Sequence, residues 1–440
     1  MTEPNFPQTN FQRLDFLDTM RGAAVIIVFL FHALGTAFPY SELPWGQWFR
    51  QWNVDLAFLS LLPISFGWTG VAIFFVISGF CIHLSFAKTI ARLPANNSSL
   101  NTSFLNASLE SNPVKHHPRI SYSLIIQAVK QFYWRRFWRI YPPYGAALLL
   151  FALIFPLTRL SWYTSQDVWE FISHVFLFHN FDADLFLKIN PSFWSIAVEM
   201  QLYLLYPLLW MGSRRWGWGK MLTWLSIIEV TCRLFDGLHL SIWDSRLSLL
   251  ISCSPWIHFL SWGIGAYLAE LFWQQRLNSA TFPLLRTRSI WWLGAAVICY
   301  GIKPLSAFTF LLCALATATM IAHQLEPQSD QLNSHRSHHN GLFSHSLFKR
   351  FFNQSQLLNR LNQHLVKSGI FSYSIYLLHQ PILLSVAQLL KLLPSNWMHP
   401  WLLFIGCCLS WQLVILISQK FYDLVEIPSI AWGKKLVRFH

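Results

Sequence analysis

Charged side chains are scarce in this chain of 440 residues: Asp, Glu, Lys and Arg make up 12%, about half the share usual in a soluble domain. A soluble globular fold is therefore excluded. Acidic residues are scarcer still, 19 against 32 Lys and Arg, which leaves a net charge of +13. In a soluble protein that balance would point to nucleic acid. In a chain built of apolar runs it reflects the Lys and Arg of cytoplasmic loops, and no nucleic-acid partner is expected. Cysteine is sparse: Cys81, Cys232, Cys253, Cys299, Cys313, Cys407 and Cys408 are odd in number and form no CxxC pair. They read as small core residues rather than disulfides or metal ligands. The N-terminus is polar to about Met20 and then enters an apolar run with no small-residue cleavage site, so no cleavable signal peptide is expected.

What the chain has instead is apolar length. Hydrophobic residues reach 54% and aromatics 17%, with 23 Trp, and Trp and Tyr favour the membrane–water boundary. A helix needs about 20 apolar residues to cross a bilayer. On that measure the expected spans are 22–39, 66–87, 140–157, 191–211, 221–235, 249–269, 289–302, 305–323, 368–390 and 401–419, with an interfacial segment before the second. Pro142 and Pro143 are expected in the first turn of the third span, where proline costs little. The fold expected is all-α: a polytopic transmembrane helix bundle of about ten spans, one domain over 1–440, with polar cytoplasmic loops at about 88–130 and 323–367. Ten spans put both termini on one side. The opposite side receives only Arg50, Arg159, Lys188, Arg233, Arg246, Lys303 and Lys391 of the 32 Lys and Arg, so the termini are expected in the cytoplasm. The sequons at Asn96, Asn97, Asn101, Asn106 and Asn353 then face the cytoplasm and read as chance matches.

Ionisable residues inside spans mark candidate chemistry. Arg21 and His32 lie eleven residues apart, which at about 100° per residue puts them on one helix face and about 16 Å apart along the axis. His32 reads either as a functional group at mid-membrane or as a neutral histidine bonded to a neighbouring helix. In KQFYWRRFWRIYPP, Arg136 and Arg139 are three apart on one face. They suit phosphate, for which guanidinium offers two parallel donors, or equally anchor the span to lipid headgroups. In PSFWSIAVEMQLYLLYP, Glu199 meets Tyr203 at i, i+4 beside Trp194; a carboxylate among aromatics fits a sugar site, or a structural pair with an arginine elsewhere. FSYSIYLLHQP places Tyr373, Tyr376 and His379 on overlapping faces. Lone histidines such as His83 and His258 read as structural, and Glu229 and Glu270 as solvated or paired.

These segments resemble, in order, the acyltransferase-3 family of integral membrane acyltransferases. LDFLDTMRGAAVIIVFLFH is similar to its opening, an Arg, ten residues, then His. GVAIFFVISGF is similar to its second-span signature, RRFWRIYPPY to its RxxR segment followed by Pro, and PSFWSIAVEMQLYLLYPLL to its W-S-x-x-x-E span. FSYSIYLLHQP and YDLVEIPS are similar to its closing elements, so the resemblance runs from about Leu14 to Ser429. Thr19 and Met20 depart from the usual Gly and Leu, and no SGNH-type domain is expected to follow. The resemblance implies transfer of an acyl group, often acetyl, from acyl-CoA as co-substrate to a hydroxyl of a carbohydrate or lipid-linked glycan, in the cytoplasmic membrane and among its lipids, with no bound cofactor. It singles out Arg21, His32, Arg136 and Arg139, with His32 and Arg21 expected to be catalytic and Arg136 and Arg139 to bind CoA; from the reading of the residues themselves, Glu199, Trp194, Tyr203 and His379 are expected to bind substrate. A transporter or flippase of an acylated glycan is the alternative, although no inverted repeat of the kind many transporters show is visible; a non-catalytic membrane scaffold is a further one.

Overall fold

The computed structural model describes residues 14–38, 61–92, 122–243, 251, 253–326, 356–394 and 399–437. The five sequons lie outside these residues. Among the described residues helix makes up 84% and there is no strand. In chain order the helices are α1 (Asp15–Ala37), α2 (Leu62–Ser65, continued by a 3-10 turn Phe66–Thr69), α3 (Gly70–Ala91), α4 (Tyr122–Leu149), α5 (Ser165–Val175), α6 (Phe193–Trp216), α7 (Trp218–Trp243) and α8 (Phe259–Trp273). They continue with α9 (Ser289–Gly301), α10 (Thr309–Leu325), α11 (Gln356–Ile370), α12 (Ser372–Leu390), α13 (Pro400–Leu409), α14 (Trp411–Phe421) and α15 (Ile427–Val437).

Six described stretches are long and apolar enough to cross a bilayer: Asp15–Ala37, Leu62–Ala91, Ser123–Ile154, Lys303–Leu325, Ser372–Leu390 and Pro400–Lys435. They fall on six of the ten expected spans, and the chain is a multi-pass membrane protein. The other four expected spans correspond to α6 to α9, which are helices of 24, 26, 15 and 13 residues. The fifth span, expected over only 221–235, belongs to α7, about 39 Å long at 1.5 Å per residue. That helix is inside out relative to a soluble one. Glu229, Arg233 and Asp236 are buried, while Trp224, Ile227, Phe235 and Leu238 are exposed, as lipid rather than water would favour. Arg233, counted with the outer side at the end of that span, is therefore an interior residue.

Helix packing divides the described residues into two units, with the division inside α3 between Phe74 and Phe75. The first unit holds α1, α2 and α11 to α14; the second holds most of α3, α4 to α10, and α15. In the first, α1 is the central helix. A Cβ on its Gly22 would lie 2.0 Å from Leu365 O of α11, and a Cβ on Gly369 of α11 would lie 1.8 Å from Asp18 O. Each glycine thus admits the other helix's backbone. Thr19 Oγ1 donates to Asn362 Oδ1 at 3.1 Å across the same seam. The second unit repeats the device. Gly79 of α3 faces Trp262 O at 2.0 Å and Gly265 of α8 faces Val76 O at 2.1 Å.

The third expected span begins earlier than its apolar run. α4 starts at Tyr122, so the basic-aromatic stretch is helical and Pro142 and Pro143 lie inside the helix, not in its first turn. Proline in that position leaves the carbonyl four residues earlier without its donor. For Pro142 that carbonyl is Trp138 O, and Ser429 Oγ from α15 donates to it instead. A hydroxyl from a neighbouring helix is the repair that lipid permits.

Beyond α4, the short α5 is capped at its start by Thr164, whose side chain accepts from Asp167 N. It ends on a buried histidine pair. The rings of His174 and His179 stack at 3.9 Å with 7° between planes, and His174 Nδ1 donates to Glu170 O at 2.7 Å. Burial pushes His174 down to about 4 and pushes His179 well below the usual imidazole range, with the neighbouring His174 adding to it.

Two outcomes test this packing. Gly79→Ala is expected to destabilise the protein by about 1–3 kcal/mol or more through overpacking. Gly145→Ala, where a Cβ meets nothing within 4 Å, is expected to be neutral or stabilising; thermal melts in detergent compare the two. The histidine pair is neutral when folded and binds protons more readily when unfolded. Its stabilising contribution is therefore complete above about pH 6.5 and falls away toward pH 4, on the order of 3 kcal/mol for His174. Melting temperature against pH reads this loss, and His174→Phe is expected to flatten the curve in that window.

Candidate active site

In the first unit, α1 carries both residues of the Arg-x10-His spacing. Arg21 Nη1 bonds Asp18 Oδ1 one turn back at 2.9 Å, and unbroken helix keeps it about 16 Å from His32 along the axis. His32 is half-buried. α12 meets it with two consecutive residues. The His379 ring lies 5.2 Å from the His32 ring, and Gln380 Nε2 lies 3.0 Å from His32 Nδ1 and donates to it. His379 is fully buried. Its Nδ1 donates to carbonyls of its own helix, Tyr376 O at 3.0 Å and Ile375 O at 3.2 Å. Tyr376 packs against it at 5.6 Å. His379, expected to touch substrate, here contacts the histidine beside it.

In the second unit the Glu199–Tyr203 pair forms as its spacing predicts: Tyr203 donates to Glu199 Oε1. Ser78 of α3 donates to the same oxygen at 2.7 Å and lies 3.1 Å from Tyr203 Oη. Trp262 Nε1 donates to Ser78 Oγ at 3.3 Å. Among the described residues Glu199 Oε2 has no hydrogen-bond partner. Arg136 is within electrostatic reach of both Tyr203 and Glu199, yet its buried Nε is unpartnered. Arg139, one turn on, is exposed. The structure thus brings together Arg136, expected to hold one substrate, and the carboxylate expected to hold another. Trp194 does not join them; it packs on Phe186 and His258 at 5.8 and 6.2 Å. Among the described residues no three His, Cys, Asp or Glu converge as a metal site requires.

Three participants escaped the sequence reading. Ser78 and Gln380 both stand inside quoted motifs, in FFVISGF and YLLHQP, but a lone hydroxyl or amide in an apolar run carries no signal of its partner. Trp262 had no signal at all. Two further interior carboxylates are tied to neighbouring helices and backbone. Glu229 takes Arg233 Nη2 at 2.8 Å, Leu260 N at 3.0 Å and Ser261 Oγ at 3.1 Å, while Arg233 caps Ala307 O and Ile257 O. His83 bonds Glu270 at 2.6 Å and Tyr206 at 3.1 Å, and Arg214 reaches the other Glu270 oxygen at 2.9 Å. Both glutamates are therefore paired, not solvated.

Residues 14–419, nearly the whole chain, match the acyltransferase-3 family model, described as an acyltransferase domain. No curated protein and no solved structure matches the chain.

Ser78 and Tyr203 converge on one carboxylate oxygen, so their loss is expected to be non-additive. In a double-mutant cycle of Ser78→Ala and Tyr203→Phe, thermal unfolding in detergent is expected to show a coupling of about 0.5–3 kcal/mol; strict additivity is the contrary result.

Proposed function

The chain belongs to the acyltransferase-3 family and is a membrane acyltransferase, and on that premise we propose that it moves an acyl group, acetyl foremost, from acyl-CoA to a hydroxyl of a carbohydrate or lipid-linked glycan. The observation that carries the reading is the half-buried His32, met on α12 by the His379 ring at 5.2 Å and by Gln380. The His32 imidazole takes the proton of the acceptor hydroxyl as its oxygen attacks the thioester carbonyl. The tetrahedral intermediate collapses with cleavage of the C–S bond, and the departing thiolate recovers the proton from the imidazolium. Both products leave neutral at these atoms and the histidine is restored.

Arg136 and Arg139 are the proposed grip on CoA phosphates. What supports this is the unpartnered Nε of Arg136 and the exposure of Arg139, in residues whose fork suits phosphate. Glu199 and Tyr203 are the proposed hydrogen-bonding groups for acceptor hydroxyls, through the open Oε2; Trp194, packed on Phe186 and His258, is left out of that site. Arg21, paired with Asp18, acts at a distance from the proton transfer. The remaining proposed features are a single acyltransferase domain, ten spans with both termini cytoplasmic, and residence in the cytoplasmic membrane. The outward apolar stripe of α6, Leu204, Leu208 and Met211, and the inverted polarity of α7 support counting these two helices as spans.

Release of free CoA thiol by purified protein in detergent, with acetyl-CoA and glycan acceptors supplied, tests the reading. His32→Ala is expected to lower kcat by about 10²–10⁴-fold, the usual worth of a general base. Arg136→Ala is expected to raise KM for acetyl-CoA with a smaller effect on kcat. Wild-type turnover in both variants would rule the mechanism out.

A further inference from the structure

We propose that Arg92 and Arg135 form a phosphate-monoester site that takes the 3′-phosphate of CoA, beside the grip on its diphosphate by Arg136 and Arg139; this rests on the reading of acyl-CoA as the donor. Arg135 crosses from α4 to α3. Its Nη1 donates to Thr89 Oγ1 at 3.1 Å, and its Nη2 lies 3.5 Å from Gln131 Oε1 on its own helix. Thr89 donates in turn to Ser85 O at 3.0 Å, so its hydroxyl proton is spent and its oxygen faces the guanidinium. Arg92 follows Thr89 by three residues, at the turn that ends α3, where its N–H donates to Thr89 O at 3.2 Å. The two cations therefore gather around one threonine, with Arg92 exposed and within electrostatic reach of Arg135.

No acid balances them. Both bonding partners of Arg135 are neutral, and among the described residues no carboxylate bonds Arg92, Arg135, Arg136 or Arg139. Arg21, Arg214 and Arg233 each bond one. Like charges gathered without an acid repel one another, and a half-buried cation on a membrane helix is costly unpaired. A bound anion offsets both costs. A phosphate monoester carries about −1.5 to −2 at pH 7 and three acceptor oxygens, enough to engage two guanidinium forks at once.

The order of the cations matches the order of groups in CoA. Arg135 and Arg139 are one turn apart on one face of α4, as are Arg136 and Arg139, so guanidiniums run from the end of α3 along α4. Arg92 stands at the entry to the polar loop expected on the cytoplasmic side. Arg139 lies about 6 Å further along α4 than Arg135, at 1.5 Å per residue. In CoA the thioester is followed by the diphosphate and then by the ribose with its 3′-phosphate. With the thioester inward, the monoester is outermost, at Arg92 and Arg135. That phosphate distinguishes CoA from a thioester on a carrier protein, whose phosphopantetheine arm holds only a phosphodiester. The site thus selects free acyl-CoA as donor.

Titration calorimetry of the purified protein in detergent, with CoA and with 3′-dephospho-CoA, tests this without an acceptor. Wild-type protein is expected to bind CoA about 10- to 150-fold more tightly, the worth of hydrogen bonds to a charged group. Arg92→Gln, at an exposed turn where folding is not at stake, is expected to reduce that preference, and Arg92→Gln with Arg135→Gln to abolish it. Affinity for 3′-dephospho-CoA is expected to change by less than about twofold in both. Arg136→Ala is expected to weaken both ligands alike and keep the preference. The inference is overturned if wild-type protein binds the two ligands equally, or if the Arg92 and Arg135 variants weaken both by the same factor. It is overturned too if the preference survives in the double variant; loss there of thermal stabilisation by phosphatidic acid micelles would assign the pair to a lipid headgroup. Wild-type protein that binds neither ligand would remove the acyl-CoA reading itself, and this inference with it.

Discussion

Backbone against backbone is the contact on which this structure depends. Lipid is as apolar as leucine, so helices in a bilayer associate through close packing and hydrogen bonds more than through expulsion of water. Twice in this chain, two helices meet at reciprocal glycines: Gly22 with Gly369 between α1 and α11, and Gly79 with Gly265 between α3 and α8. In each case the missing Cβ lets a carbonyl of the partner helix sit where a methyl would be. The approach is functional in consequence. The first seam sets α1 and, through the short link after α11, the face of α12 that carries His379 and Gln380. The second lies beside Ser78 and Trp262, which meet across it.

Polarity is then arranged from the inside. Among the described residues two interior carboxylates of the second unit are satisfied by several partners each. Glu229 is held by a guanidinium, a backbone N–H and a hydroxyl, and Glu270 by an imidazole, a guanidinium and the Gln274 amide at 2.6 Å. A buried ion pair is a net benefit only when its remaining lone pairs are satisfied, and these are. Against that background the open Oε2 of Glu199 and the unpartnered Nε of Arg136 stand out. Among the described residues Glu229 and Glu270 have both carboxylate oxygens engaged, while Glu199 Oε2 and Arg136 Nε have no hydrogen-bond partner.

Much of the architecture was legible beforehand because its cause is local. Scarcity of charge and runs of about 20 apolar residues define spans wherever they fall, and six described stretches lie where those runs predicted. The Arg21–His32 spacing and the Glu199–Tyr203 contact followed from helical periodicity alone. The errors share a cause too. Expecting α4 to begin near Ile140 treated charge and proline as helix limits. The helix tolerates both, because Ser429 donates to the carbonyl that Pro142 leaves open and because a basic-aromatic stretch is helical whether or not it is apolar. α7 looked short for the same reason: its interior Glu229 and Arg233 broke the hydropathy run while the outward face remained apolar.

By itself the sequence determined the membrane setting, the helical class, the family and the residue types available for acyl transfer, since each depends on composition or on spacing within one helix. Tertiary structure alone decided the partners. It chose Gln380 for His32 and, for Glu199, Ser78 with Trp262 bonded behind it. These sets join residues separated by tens to hundreds of positions, and no periodicity within a helix reports which face of another helix it will meet.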